Sequence, residues 1–173
     1  TTEIYTLSLH DALPISKSHA DSEPSIELET GMEEQDLVDA YLQMIQYIVD
    51  KTNIFNSKQN IKYFALDSSQ IEPITKSLEE KILEKLGERY DTEILHGTTK
   101  QLIQEGYIEK DGLNDFINGV LITICDVHFE DSWIEFDISS FYSGKGGYYY
   151  SNCRIQKQDD GWEIIDEGSE SVS

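Results

Sequence analysis

Asp126 and His128 stand two residues apart in the run Ile124-Cys125-Asp126-Val127-His128-Phe129, so a strand there sets both side chains on one sheet face. A carboxylate beside an imidazole orients the ring and raises its pKa, which is the chemistry of a general acid and base. The two are the catalytic candidates of the chain. They also sit at the end of the run, beside Glu130 and Asp131, where a solvated rim is the simpler expectation. His96, ahead of Gly97 and a helix start, reads as a loop histidine. Neither histidine belongs to an H-x₃-H or H-E-x-x-H pattern, so no metal site is expected and no cofactor is implied.

The aromatic residues give a binding candidate. Phe141 and Tyr142 precede the turn Gly144-Lys145-Gly146-Gly147, and Tyr148, Tyr149 and Tyr150 follow it. Alternation sends Tyr148 and Tyr150 to one face and Tyr149 to the other. Phe141, Tyr142, Tyr148 and Tyr150 therefore either line a binding surface or hold the hairpin together by cross-strand packing. The glycine turn lacks the G-x-x-x-x-G-K-[ST] pattern of a phosphate loop and has strands on both sides, so it reads as a hairpin. Glu130–Asp131, Asp159–Asp160 and Asp166–Glu167 are acidic clusters without the D-x-[DN]-x-[DN]-G calcium pattern. Cys125 and Cys153 fall on the first and third strands of the expected meander. Two strand spacings, ~9–10 Å, exceed disulfide reach of ~7 Å, so both are expected as free, largely buried thiols.

The elements that carry these residues follow from periodicity. Leu37, Tyr41, Met44 and Ile48 form a helical stripe, with Thr30 and Glu33 at capping-box spacing before it and the helix ending near Lys51. Ile61–Leu66 is a short strand or a helix-flanking stretch. From Pro73, Ile74, Leu78, Ile82, Leu86 and Tyr90 share a second helical face, with Ser77 and Glu80 as its capping box. Glutamates interleaved with lysines mark its other face as solvated. Thr92–Leu95 reads as an extended connection. Thr98 with Gln101 opens a third helix that Gly106 closes. After the Asp111–Gly112 turn the period falls to two: strands are expected at 118–129, 133–142, 148–157 and 162–165. The expectation is an α+β fold, with N-terminal helices packed on one face of a curved four-stranded antiparallel meander.

The chain has 173 residues, 34 acidic against 13 basic, for a net charge of −21 and a pI near 4.3. Such acidity opposes binding to nucleic acid or to anionic membrane surfaces. No run reaches the ~18 apolar residues of a membrane-spanning helix, so no integral membrane segment is expected in the visible chain.

Residues 1–16, TTEIYTLSLHDALPIS, resemble the translation of a common sequencing adapter, whose codons spell Thr1 through Ile15. On that reading the true start of the gene, with any signal peptide or lipid anchor, is missing. Tyr5 and His10 then drop out as candidates. Glu3 and Asp11 go too, which leaves 32 acidic against 13 basic residues, −19 over 157 residues. Residues 17–32 read as a disordered acidic linker, 33–166 as one α+β domain and 167–173 as a frayed acidic tail.

Three helices followed by a meander, ending in Cys153-Arg154-Ile155-Gln156-Lys157-Gln158-Asp159-Asp160-Gly161-Trp162-Glu163-Ile164, resemble the NTF2-like, cystatin-related α+β superfamily of small bacterial domains. The resemblance covers roughly residues 33–166. It implies a half-barrel with a pocket between sheet and helices, where Asp or His inside the cone serves as acid and base in some relatives. It does not imply a reaction.

The leading expectation is a non-enzymatic binding domain of an exported or envelope-associated bacterial protein, holding a small ligand or a protein partner in the half-barrel. One alternative is a cytoplasmic acidic interaction protein of immunity type, steered toward a basic partner by its charge. The other is an isomerase- or dehydratase-like enzyme using Asp126 and His128.

Overall fold

The helical stripe of Leu37, Tyr41, Met44 and Ile48 becomes α1, Glu34–Thr52, with all four side chains fully buried. Glu34 and Asp36 in its first turn and Lys51 in its last complement the helix dipole. In this computed structural model the described residues are 31–56, 60–71, 74–110, 114–143 and 146–172. The adapter-like segment 1–16, linker residues 17–30, Pro73, the Asp111–Gly112 turn and the Gly144–Lys145 pair lie outside them. So does Thr30, and the expected capping box with it; α1 starts after Glu33, which makes no side-chain cap. Met32, at the end of the expected linker, packs against the main core.

The remaining elements are β1 (Tyr63–Asp67), α2 (Lys76–Arg89), β2 (Glu93–His96), α3 (Thr99–Gln104), β3 (Gly119–Phe129), β4 (Trp133–Ser143), β5 (Gly146–Gln158), β6 (Gly161–Asp166) and β7 (Ser169–Val172). Thr75, not Ser77, caps α2, its hydroxyl accepting from the Leu78 amide at 3.1 Å; Ser77 already lies inside the helix. The Thr98–Gln101 capping box of α3 forms as expected, and Gly106 follows it at φ +84°.

The fold is α+β, but the sheet is mixed and seven-stranded rather than a four-stranded antiparallel meander. Its order is β2-β1-β3-β4-β5-β6, with β7 also on β5. The antiparallel meander is the β3–β6 part. β1 pairs parallel with both β2 and β3. Parallel neighbours need crossover connections, and α2 and α3 supply them. A second correction follows: the helices do not all lie on one face. Leu78, Ile82 and Leu86 of α2 join α1 in the main core, with Phe64, Ile122, Ile138 and Phe136 from the sheet. Leu102 of α3 packs instead on the opposite, outer face with Ala65, Leu121, Ile108 and Phe116. At the far end of α1, Phe55, Phe64 and Tyr90 stack nearly parallel, with Phe55–Tyr90 centroids 4.8 Å apart, and the Tyr90 hydroxyl donates to Gln46 Oε1 at 3.0 Å.

Four register shifts interrupt the meander, and two of them redirect the face turned to the core. One residue too many stands in β3 between Cys125 and His128, opposite Asp137 to Glu135, and Asp126 there has φ +50°. Another stands in β5 between Tyr150 and Cys153, with Asn152 at φ +56°. Each insertion reverses which side chains face the core, because strand alternation has period two. Val120, Ile122 and Ile124 face the core before the first bulge, Val127 and Phe129 after it; Tyr148 and Tyr150 do so before the second, Cys153 and Ile155 after it.

The acidic end of the chain is ordered by backbone pairing rather than frayed. β6 and β7 run successively along one edge of β5, Ser169 to Val172 pairing with Ser151 to Tyr148. Between them the Glu167 carbonyl accepts from the Tyr47 hydroxyl at 3.1 Å and from Cys153 Sγ at 3.2 Å, while Lys51 bridges the Glu167 carboxylate at 2.6 Å. Gly168 has φ +65°, and a Cβ there would lie 2.0 Å from the Ser151 carbonyl oxygen.

Candidate functional site

The β3 bulge decides the fate of the Asp126–His128 pair. Without it both would alternate with Ile124 toward the helices. With it, Asp126 occupies the inserted position, His128 turns outward, and both are exposed. The structure therefore does not bring them into a cavity. It gives the inward direction to Val127 and Phe129 instead. The signal was present in the sequence: apolar residues shift from even positions (Ile122, Ile124) to odd ones (Val127, Phe129) across an aspartate that tolerates positive φ.

Asp126 contributes to a different cluster, on the outer face. One ligand-type atom each from Cys125, Asp126 and Asp137 lie within 4.8 Å of one another. Both Asp137 oxygens already accept hydrogen bonds, Oδ1 from the Asn152 amide at 2.8 Å and Oδ2 from the Tyr149 hydroxyl. Asp137 thereby closes the β5 bulge. Burial first, then the nearby Asp126 carboxylate, pushes the Cys125 thiol up, which makes it a poor nucleophile and a poor ligand at neutral pH. The bond to Asp137 likewise pushes the Tyr149 hydroxyl up. Cys125 and Cys153 are both free; Cys125 is half-buried and Cys153 wholly buried.

His96 ends β2 and joins a second cluster that sequence reading did not assemble. Ser68 Oγ lies 2.8 Å from His96 Nε2 and donates to Glu79 Oε1 at 2.5 Å, and the same Nε2 lies 3.0 Å from Glu79 Oε1. With the Ser68 hydroxyl donating to Glu79, its oxygen is left to accept from His96 Nε2–H. A catalytic relay needs the carboxylate on one ring nitrogen and the hydroxyl on the other. Here one nitrogen meets both, and the hydroxyl is spent on the carboxylate. This triangle ties the end of β1 to α2 and β2.

The aromatic candidates are divided by the sheet. Tyr150 is buried against Tyr47, ring centroids 5.5 Å apart, and Tyr148 packs at the edge of the same core. Phe141 faces the other way and packs on the α3 cluster. Tyr142 occupies an irregularity in β4, where a Cβ on Gly146 would strike its ring. Tyr149, on the outer face, is the tyrosine left exposed among the described residues, at 38 %.

What the core-face residues do form is a groove. A cavity of about 1080 Å³ opens between the start of α1, the segment after β1, the β3–β4 turn and β6. Met32, Ile71, Ile74, Val127 and Phe129 contribute apolar surface, and Trp133 and Trp162, the two tryptophans of the chain, both line it. Asp36, Glu130 and Asp131 are its acidic members. Its one lysine, Lys157, bridges Asp36 at 2.6 Å and so ties β5 to α1. Trp133 is braced from outside by Arg154, whose guanidinium sits 4.8 Å from the ring centroid and bonds Glu135 at 2.8 Å.

Fold and site together define an α+β chain with a mixed sheet and, among the described residues, a large acid-rimmed groove on its helical side. A scan against protein-family models finds no match, and a search of curated proteins finds none. No helix among the described residues is long and apolar enough to cross a membrane.

Proposed function

We propose that this chain is a non-enzymatic binding domain whose ligand or partner seats in the groove lined by Trp133 and Trp162. The observation that carries this reading is the groove itself, where Met32, Ile71, Ile74, Val127, Phe129 and both tryptophans offer apolar surface beside a polar rim of Asp36, Ser69, Glu130, Asp131, Ser132 and Lys157. The β3 bulge supports it: the one irregularity of that strand turns Val127 and Phe129 inward and sends Asp126 and His128 outside. The NTF2-like resemblance would likewise imply a pocket between sheet and helices. An exported or envelope-associated setting remains part of the proposal.

The test uses N-phenyl-1-naphthylamine, a neutral apolar fluorophore that accepts energy from tryptophan. Both donors of the chain line the groove, so saturable binding should quench their emission and sensitise the probe. Ser132→Phe, a substitution at an exposed lining position, should block uptake without touching the core. Absence of energy transfer, or transfer unchanged by Ser132→Phe, contradicts the proposal.

A further inference from the structure

We infer that the occupant of this groove is a cationic amphipathic segment of a protein partner, apolar side chains on the floor and Lys or Arg against the Glu130–Asp131 turn. The inference rests on the groove being the binding site. Its volume, about 1080 Å³, sits above the usual ~300–1,000 Å³ of small-molecule pockets and suits a length of chain.

Charge then selects the kind of segment. Only some acids elsewhere are compensated: on α2, Lys76 bridges Glu80 at 3.5 Å and Lys85 bridges Glu88 at 2.8 Å. Within the groove, Asp36 is compensated by Lys157. What sets Glu130 and Asp131 apart is their place on the groove. Both are exposed, they are adjacent on the rim, and among the described residues no cation pairs with either. A docked Lys or Arg meets two carboxylates with no internal competitor, whereas an anionic ligand is repelled and a neutral one leaves them unused. The net charge of −21 extends the same preference to long range and speeds encounter with a positive partner.

The experiment measures binding of a fluorescein-labelled amphipathic Leu/Lys peptide to the full chain by anisotropy, with a Leu/Glu peptide of the same pattern alongside. Competition against N-phenyl-1-naphthylamine reports the site. The Leu/Lys peptide should bind, displace the fluorophore and weaken as salt rises. The double variant Glu130→Gln/Asp131→Asn should weaken it about fivefold, as expected for two rim pairs of ~0.5 kcal/mol each. Glu105→Gln/Glu109→Gln removes the same charge beside α3 and should leave affinity unchanged. Equal losses in the two variants, or equal binding of the Leu/Glu peptide, overturn the inference. If the fluorophore binds but the Leu/Lys peptide does not displace it, the inference fails while the groove stands. If the fluorophore itself does not bind, the groove reading fails with it.

Discussion

Gly168→Ala should release the last strand of the sheet, and the size of the effect can be worked from its surroundings. At φ +65° an L-residue bears a cost of ~1–2 kcal/mol, partly offset by the ~0.4–1 kcal/mol that alanine saves in the unfolded chain. The added Cβ would lie 2.0 Å from the Ser151 carbonyl oxygen and 2.9 Å from its carbon, where ordinary contact begins near 3.4 Å. Both atoms belong to backbone, so β7 must move by more than an ångström. That movement strains the Ser151–Ser169 pairing and the two bonds that the Glu167 carbonyl accepts, from Tyr47 and Cys153. At ~1 kcal/mol per hydrogen bond the total reaches about 3 kcal/mol. Gly106→Ala is the control: φ is +84° but nothing lies within 4 Å, so on the same terms its cost is at most about 1.6 kcal/mol. Urea unfolding compares the two, and thiol titration in a Cys125→Ser background separates local from global loss. If β7 merely detaches, global stability falls by less, but Cys153 gains reactivity. Equal stability of the two variants together with a silent Cys153 would refute the reasoning.

Other substitutions test the core and its polar exceptions. Phe136, fully buried at the centre of β4, should cost ~3–5 kcal/mol as Phe136→Ala in urea unfolding. Tyr41→Phe should be neutral or stabilising, because the Tyr41 hydroxyl is buried and has no partner among the described residues; a loss above ~1 kcal/mol would reveal an unrecognised bond. Asp137→Ala frees both the Asn152 amide and the Tyr149 hydroxyl and should cost ~1–3 kcal/mol, with increased amide exchange confined to the β5 bulge. Alkali should destabilise the chain. Burial pushes the Cys153 thiol and the Tyr150 hydroxyl each up to about 12, so the folded state holds protons that the unfolded state has released. Stability is then full below about pH 9 and falls toward pH 12, by at most about 1.4 kcal/mol per pH unit per group. A urea midpoint unchanged between pH 8 and pH 11 would contradict this.

The parts of the fold legible in sequence are those where side chains carry the pattern. Ile134, Phe136 and Ile138 alternate without interruption, and β4 begins at Trp133 as the alternation requires. Thr98 and Gln101 announce α3 because both halves of a capping box are side-chain chemistry. β1 and β2 were legible only as extended stretches: they have five and four residues, and parallel pairing leaves no turn signature between partners. β7 was hidden for another reason. Ser169-Glu170-Ser171-Val172 is exposed throughout and is held by the backbone of β5, which no hydrophobic pattern reports. The groove was the least visible feature. Its residues come from distant parts of the chain, and the bulge that turns Val127 and Phe129 inward shows only as a change of phase around Asp126.

Amide shift mapping shows whether the groove is the binding site. With the Leu/Lys peptide added to the isotope-labelled chain, both indole N–H signals, Trp133 and Trp162, should move together with the amides of Val127 to Trp133, Met32 and Ile71. Shifts gathered instead around Asp137 and Tyr149 on the opposite face, with the indole signals still, would contradict the account.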